Sequence, residues 1–185
     1  MTEIHSESFT QPIDMRKKLT AYDIALTALM VAIIEVCKIA FMELPNIELT
    51  SFWLILFSKH FGRRVYTVVP IFILIEGVIF GFGIWWIMYL YAWPILILVT
   101  RIFKKNDDSL TWAIISGVFG LLFGFMCSLP YLFMGGIQTA FSWWVAGIPW
   151  DLVHGAANFA VMMLLYKPLS KAIKGIEKNI PENML

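Results

Sequence analysis

The stretch RKKLTAYDIALTALMVAIIEVCKIAFM at residues 16–42 indicates the fold class. Three basic residues at 16–18 precede an apolar run over 20–42, and a helix needs about 20 such residues to cross a bilayer. Further apolar runs follow at 50–62, 65–81, 84–103, 111–134 and 143–166. The sequence therefore predicts an all-α integral membrane protein, built as a bundle of six transmembrane helices.

Lysine and arginine residues lie on alternate sides of these runs. All but one of the fourteen fall in four short groups: 16–18, 59–64, 101–105 and 167–178. The intervening connections, around 43–50, 81–84 and 134–142, carry none. Basic loops mark the cytoplasmic side of membrane proteins. The pattern therefore predicts that the N and C termini are both cytoplasmic, and it leaves Lys38 alone inside a span.

Composition agrees with membrane residence, since 59% of the residues are hydrophobic and 15% are charged. We expect a cytoplasmic N-terminal tail at 1–18, a six-span membrane domain at 19–168 and a cytoplasmic C-terminal tail at 169–185. We expect no removable signal peptide before the first run, because the first twenty residues are polar. The lipid bilayer is the expected surrounding, and no nucleic-acid partner is expected.

Several local signals divide the spans. The runs at 50–62 and 65–81 are short, so they can tilt, thin the bilayer locally or lie partly inside the bundle. Gly81-Phe82-Gly83 predicts a tight turn, and 106–109 a polar turn that caps the fifth helix. We expect a flexible outer loop around 134–142, and a break or kink at 147–149 because proline removes a helical hydrogen bond.

Polar side chains within the spans point to function. Each is costly in hydrocarbon, so it should face the bundle or a wet cavity. The topology places nearly all of them at or above the bilayer centre on the outer side. Spacings of three and four residues put Asp151, His154 and Asn158 on one helical face. Buried ion pairs that fix helix packing would explain any single residue, whereas an outward-facing pocket better explains the set.

Two aromatic residues and one loop are further candidates for the outward-facing pocket. Tyr89 and Trp93 lie deeper than an interfacial belt, so they either face neighbouring helices or line a pocket. The loop at 43–50 is either an ordered segment over the outer mouth or a solvated connection. The candidate substrate-binding residues are Glu35, Lys38, Asn46, Glu48, Glu76, Tyr89, Trp93, Trp150, Asp151, His154 and Asn158.

Enzyme signatures are missing from the sequence. No Gly-x-x-x-x-Gly-Lys-Ser/Thr phosphate cradle and no His-Glu-x-x-His or Gly-x-Ser-x-Gly motif occurs. Asp151 with His154 is weak evidence for a metal, because a site needs more ligands. We therefore predict no catalytic residues, no metal and no intrinsic cofactor.

Three stretches carry a resemblance to a known family. They are LPNIELT at 44–50, GFGIWW at 81–86, and AGIPWD at 146–151 followed by His154 and Asn158. Across about 15–168 the chain resembles the substrate-binding S components of energy-coupling factor (ECF) transporters. The resemblance implies high-affinity capture of a vitamin or similar micronutrient from outside a prokaryotic cell by a multi-pass protein of the cell membrane.

The resemblance also implies partners. Such S components dock on a scaffold membrane subunit with two ATPase subunits, which use the ATP, and tip over in the membrane to deliver the ligand. The family docks through small residues on the first helix. Here these are Ala21 with Ala25 and Ala28 with Ala32. We expect the two pairs not to share an identical face, which leaves open which pair docks.

The substrate and two other classes stay open. The rings favour a ring-containing compound of the cobalamin, queuosine-precursor, flavin, thiamine or folate type. A proton-coupled secondary transporter would instead use Glu35, Glu76 and Asp151 as a relay. A structural or assembly subunit of a membrane complex would bind no small molecule.

Overall fold

The computed structural model describes residues 20–177, and every regular element in that range is helical. The helices are α1 (Ala21–Phe41), α2 (Thr50–Phe61), α3 (Val65–Phe80), α4 (Ile84–Ile102), α5 (Ser109–Leu121), α6 (Phe123–Ser128) and α7 (Tyr131–Glu177). A single 3₁₀ turn at Gly62–Arg64 joins α2 to α3. The bounds predicted for the first four apolar runs agree with those of α1–α4 to within about two residues, whereas only α1 and α4 of these are long enough to be candidate spans.

Helices at Ala21–Phe41, Ile84–Ile102, Ser109–Ser128 and Tyr131–Ile176 are long and apolar enough to cross a membrane. The chain is therefore an all-α protein of the membrane-embedded kind. Its first helix begins where the sequence provides a cap. The Thr20 hydroxyl accepts from the Asp23 amide at 3.1 Å, and the Asp23 carboxylate accepts from the Thr20 amide at 3.1 Å.

Helix α2 lies in the centre of the bundle. It has only 12 residues and is therefore about 18 Å long, shorter than the hydrocarbon core of a bilayer. All but one of the residues from 50 to 58 are buried, and α1, α3, α4 and α7 pack around it. A helix that is apolar on all sides is stable when protein surrounds it. Its burial accounts for the short apolar run.

The fifth predicted span, 111–134, is not one continuous helix. Asp108 caps α5 by accepting from the Thr111 amide at 2.9 Å, so the helix begins at Ser109. Leu122, with φ −92° and ψ −2°, then separates α5 from α6. Pro130, which has no amide hydrogen, lies in the gap between α6 and α7.

The predicted loop around 134–142 is confirmed only as a two-residue interruption at Gly135 and Gly136. The predicted break at 147–149 is wrong, because α7 stays helical there, and a kink at that point stays a prediction. Inside α7 only Gly135 and Gly136 depart from helical geometry. Gly136 has φ +73°, a conformation that favours glycine, and the chain reverses there. The helix then continues through Pro149, because a proline φ of about −65° is itself helical. The sixth span is therefore longer than the predicted 143–166.

The basic groups that the structure describes gather at one end of the bundle. Lys59 donates to the carbonyl of Lys104 at 3.2 Å and pairs with Asp107 at 2.7 Å. Arg64 pairs with Asp23 at 2.9 Å, beside the start of α1. The group at 16–18, the predicted tail at 1–18 and the end of the tail at 169–185 lie outside the described residues.

Helices α5 and α7 approach closely at glycines. A Cβ at Gly120 would lie 2.9 Å from the Cα of Gly155, closer than real Cβ contacts come. A Cβ at Gly117 would lie 3.3 Å from the Gly155 carbonyl oxygen. Small residues allow such backbone contact between membrane helices. This contact fixes the part of α7 that carries the polar face predicted from sequence.

Candidate functional site

A cavity of about 370 Å³ lies at the end of the bundle opposite the basic groups. The end of α1, the loop 42–49, the end of α3, the start of α4 and parts of α6 and α7 form it. Its polar lining residues are Lys38, Asn46, Glu48, Thr50, Glu76 and His154. Its aromatic lining residues are Phe41, Phe80, Trp85, Tyr89, Trp93 and Phe123. We refer to it as the Lys38 cavity.

Lys38 is the cation of this cavity. Its ammonium forms an ion pair with Glu76 of α3 and donates to the Tyr89 hydroxyl at 3.3 Å. The same nitrogen lies 5.1 Å from the ring centre of Phe80 and 5.2 Å from that of Tyr89. Rings at this distance attract a cation through their negative faces. The lone lysine within the spans therefore has both a carboxylate and an aromatic surround.

Glu48 ties the loop 42–49 to two helices. Its carboxylate accepts from the Ser51 amide at 3.0 Å and the Ser51 hydroxyl at 2.5 Å, which places negative charge at the start of α2. It also lies 3.2 Å from Nε2 of His154 on α7. Burial alone would raise the pKa of Glu48, but the hydrogen bonds and charge from His154 and the bonds from Ser51 hold it below its usual range.

Aromatic rings packed edge-on or tilted against one another form one side of the cavity. Trp93 is 2% exposed, and its ring centre lies 5.2 Å from Tyr89 and 5.6 Å from Phe123. Phe123 in turn packs edge-on against the His154 ring at 4.9 Å. The two alternatives for Tyr89 and Trp93 therefore both hold, because the same rings pack against neighbours and line the cavity.

Three lining residues have buried polar atoms without a hydrogen-bond partner in the described part of the chain. These atoms are Oε1 of Glu76, Nε1 of Trp93 and Nδ1 of His154. Buried polar groups are nearly always satisfied in native proteins, and each exception needs an explanation. A small molecule with both donors and acceptors would satisfy these atoms.

The structure brings seven of the eleven candidate residues to the cavity. They are Lys38, Asn46, Glu48, Glu76, Tyr89, Trp93 and His154. Asn46 adopts φ +56°, so the backbone turns sharply where the loop passes over the cavity. The loop 42–49 is thus the ordered segment over the mouth rather than a solvated connection. That the seven residues bind a substrate stays a prediction.

The other four candidates lie away from the lining. Asp151 and Asn158 share the buried face of α7 as predicted, but they face α6 and α5. Asp151 accepts from the Gly124 amide at 2.9 Å, and Asn158 donates to the Ser116 carbonyl at 3.4 Å. Trp150 is 53% exposed, because it lies about 100° around α7 from Asp151 and so faces outward. Glu35 is buried one turn before Lys38.

Sequence reasoning missed several lining residues. Trp85 was not among the candidates, yet it lines the cavity and packs edge-on against Tyr89 at 5.3 Å. The signal was available, because Trp85, Tyr89 and Trp93 are spaced four residues apart and so share one helical face. Phe80 and Phe123 carried no comparable sequence signal.

The four alanines of α1 share one exposed face. Ala21, Ala25, Ala28 and Ala32 are all exposed. At about 100° per residue they fall within about 60° of one another, and the two pairs are offset by about 20°, so which pair docks stays open. Leu29 and Val36 are also exposed beside them, at 58% and 65%. Each described alanine of this set therefore lies on the surface of the bundle.

Comparisons with known proteins found no match that would assign a role to this site. No family model, no curated protein and no solved structure matches the chain. Within residues 20–177, no group of three or more His, Cys, Asp or Glu side chains is arranged to hold a metal ion.

Proposed function

We propose that this chain captures a small ring-containing micronutrient in the Lys38 cavity and delivers it across a cell membrane as the S component of an ECF transporter. The ATPase partners would supply the energy, and the chain itself would carry no catalytic site. The observation that carries the proposal is the unsatisfied polar atoms of Glu76, Trp93 and His154 on the wall of an aromatic cavity.

Cavity chemistry restricts the ligand. A volume of about 370 Å³ lies at the small end of the range for ligand sites, which favours a compact molecule over one of cobalamin size. Glu48 and Glu76 outnumber Lys38 as charged groups, so a ligand with donor or cationic nitrogens matches them better than an anion does. Flat rings can stack on Trp85 or Tyr89.

Topology and partners complete the proposal. The basic end of the bundle would face the cytoplasm of a prokaryotic cell, with both termini there, and the Lys38 cavity would face outward. Six spans result if α2 and α3 cross the membrane inside the bundle despite their short length. The exposed alanines of α1 would contact the scaffold subunit, because they allow another helix backbone to approach.

Mass spectrometry of the full chain tests the proposal. The protein is purified in mild detergent, with an ECF scaffold and two ATPase subunits co-expressed, and the small molecules it releases are identified. We expect a stoichiometric ring-containing compound and co-purification of the module. The Tyr89→Phe/Trp93→Phe double variant should retain the module and lose most of the compound. Release of no compound from a folded chain, together with no module, would exclude the proposal.

A matched control uses a ring outside the cavity. Trp112 is fully buried at the basic end, where it donates to the Asn106 carbonyl at 3.0 Å. Trp112→Phe removes a buried indole, as Trp93→Phe does. Trp112 does not line the Lys38 cavity, so its replacement leaves that cavity unchanged. We therefore expect the compound to be retained. Equal loss of the compound in both variants would mean that aromatic packing in general, rather than the cavity, is responsible.

A proton-coupled secondary transporter is the second candidate. Glu35 and Asp151 are buried with carboxylate oxygens that have no partner among the described residues, and protonation would lower the cost of such burial. Uptake by reconstituted chain alone, driven by a proton gradient and abolished by Glu35→Gln, would favour this candidate. ATP-dependent uptake that survives Glu35→Gln would favour the first.

A further inference from the structure

A second cavity lies at the basic end of the bundle. It has a volume of about 500 Å³ and lies between the last turns of α7 and the loop before α5. Its lining includes Tyr166, Lys167, Ser170, Lys171, Lys174 and Asp107. We refer to it as the basic cleft. It is separate from the Lys38 cavity, and the proposed function makes no use of it.

The basic cleft carries excess positive charge. Three lysines and one aspartate line it, which gives a formal balance of +2. Asp107 is already engaged, at 2.7 Å from Lys59 and 3.7 Å from Lys174. Hydrogen bonding from Lys59 is the main reason that the pKa of Asp107 lies below its usual range, so this carboxylate stays ionised. Even so, Lys167 and Lys171 have no ion pair within residues 20–177.

Hydrogen-bond donors accompany this charge. Ser170 is buried, and its hydroxyl lies 2.8 Å from Nε2 of His60. Tyr166 presents a buried phenol at the same wall. Hydroxyl and ammonium groups together are the donors that a phosphate group accepts from. The lining therefore matches an anion with several acceptor oxygens.

The position of the cleft along α7 indicates the source of that anion. Met162, Leu164 and Leu165 precede Tyr166, and the lysines begin at Lys167. The change from apolar residues to lysines marks where hydrocarbon meets the headgroups. The cleft thus opens at the depth of lipid phosphates. Basic pockets between membrane helices at this level are typical of sites for anionic headgroups.

We propose that the basic cleft binds the phosphate of an anionic phospholipid, with Lys167 and Lys171 supplying the charge and Ser170 a hydrogen bond. The lipid would hold the end of α7 against the 104–108 loop. This site does not depend on the identity of the ligand in the Lys38 cavity, so the two proposals fail independently.

Native mass spectrometry of bound lipids tests the site. The full chain is extracted from vesicles of equal parts phosphatidylglycerol and phosphatidylcholine, and the retained lipids are counted. We expect preferential retention of phosphatidylglycerol. Each lysine near a membrane surface contributes a factor of about five, so Lys167→Gln/Lys171→Gln should lower retention more than tenfold. Lys105→Gln removes an exposed charge outside the lining and should leave retention unchanged.

Competition separates the two sources of phosphate. Inorganic phosphate is added to the unmodified chain, with sodium chloride at equal ionic strength as the control. Retention that falls equally in both salts supports a headgroup site. Specific displacement by inorganic phosphate at a concentration no higher than that of the lipid would assign the cleft to a free anion and overturn the lipid proposal. Equal retention of both lipids by the unmodified chain would also overturn it, even if the double lysine variant fails to fold.

Discussion

The two halves of the bundle hold buried charge in different ways. In the half built from α1–α4, Lys38 pairs with Glu76 at the wall of an open cavity. In the half built from α5–α7, Asp151 accepts from the Gly124 amide at 2.9 Å where the helices touch. Large rings surround the first pair, whereas a Cβ at Gly124 would overlap the Asp151 carboxylate. The size of the neighbours decides whether a buried charge faces a cavity or closes a helix contact.

Breaking the Lys38–Glu76 pair should have the largest effect. Lys38→Met leaves the Glu76 carboxylate fully buried without its partner, which costs about 3 kcal/mol of stability. Adding Glu76→Gln removes the stranded charge, and the double variant should regain most of that stability. Chemical denaturation of the four proteins gives the coupling energy. Additive losses in the double variant would show that the two residues act separately.

Ligand retention distinguishes this pair from a purely structural one. If the pair faces a bound ligand, the Lys38→Met/Glu76→Gln protein should fold and still retain less than a tenth of the ligand. A structural pair would give normal retention once stability is restored. The measurement is the amount of compound released per folded chain.

The α5–α7 contact should be the next most sensitive. Gly120→Ala places a methyl group 2.9 Å from the Gly155 backbone, and overpacking of this kind costs about 2 kcal/mol. Gly147→Ala is the matched control, because a Cβ there meets nothing within 4 Å and alanine favours the helix. Thermal unfolding of both variants decides the matter. A similar fall in Tm for the two would mean that helix propensity, not close approach, is being measured.

Sequence alone predicted the first half of the molecule better than the second. The bounds of α1–α4, and the roles of Lys38 and Glu76 as buried polar groups near a cavity, follow from costly charges in apolar runs. Helical periodicity also placed Asp151 and His154 on one face. It could not tell that Asp151 faces α6 while His154 faces the cavity, because that depends on where the glycines let α5 and α6 approach.

Helix α7 shows a second reason for the difference. Glycine and proline were both interpreted as interruptions, at 134–142 and 147–149. Only the glycine pair interrupts, because Gly136 takes a φ of +73° whereas a proline φ is compatible with helix. Residue type limits the available backbone conformations, and the packing of the hairpin selects among them.

Asp151→Asn tests the comparison between the two halves of the bundle with a smaller expected loss of stability. Asparagine keeps the size and an acceptor for the Gly124 amide, so the loss of one charge-assisted hydrogen bond should cost about 1 kcal/mol. Ligand affinity should change by less than twofold, since Asp151 does not line the cavity. Denaturation and ligand titration are measured together. A large loss of affinity at unchanged stability would return Asp151 to the binding site.

Acid should release the loop 42–49 before it affects the α5–α7 contact. The pKa of Glu48 is lower in the folded chain than when unfolded, so its contribution is fully present above the unfolded value and is lost as pH falls through the folded one. The mobility of a spin label, attached beforehand to a cysteine introduced at the exposed position Glu43, should therefore be constant from about pH 8 to 5 and rise below about pH 4. In a Glu48→Gln background that rise should disappear. A rise near neutral pH would assign the release to another group.

The alanine face of α1 should give the smallest change in stability. It contains small side chains like the α5–α7 contact, but no described helix covers it. Ala28→Leu should therefore alter the free energy of unfolding by less than about 0.5 kcal/mol and leave ligand retention intact. If the scaffold subunit packs there, the added bulk should nonetheless reduce module co-purification severalfold. Val118→Leu enlarges an exposed side chain on α5, away from the alanine face, and serves as the control. Normal assembly of the Ala28→Leu chain would mean that the scaffold subunit does not pack on this face. Within residues 20–177, close approach at small residues would then belong to the contacts of α7 with α5 and α6 rather than to α1.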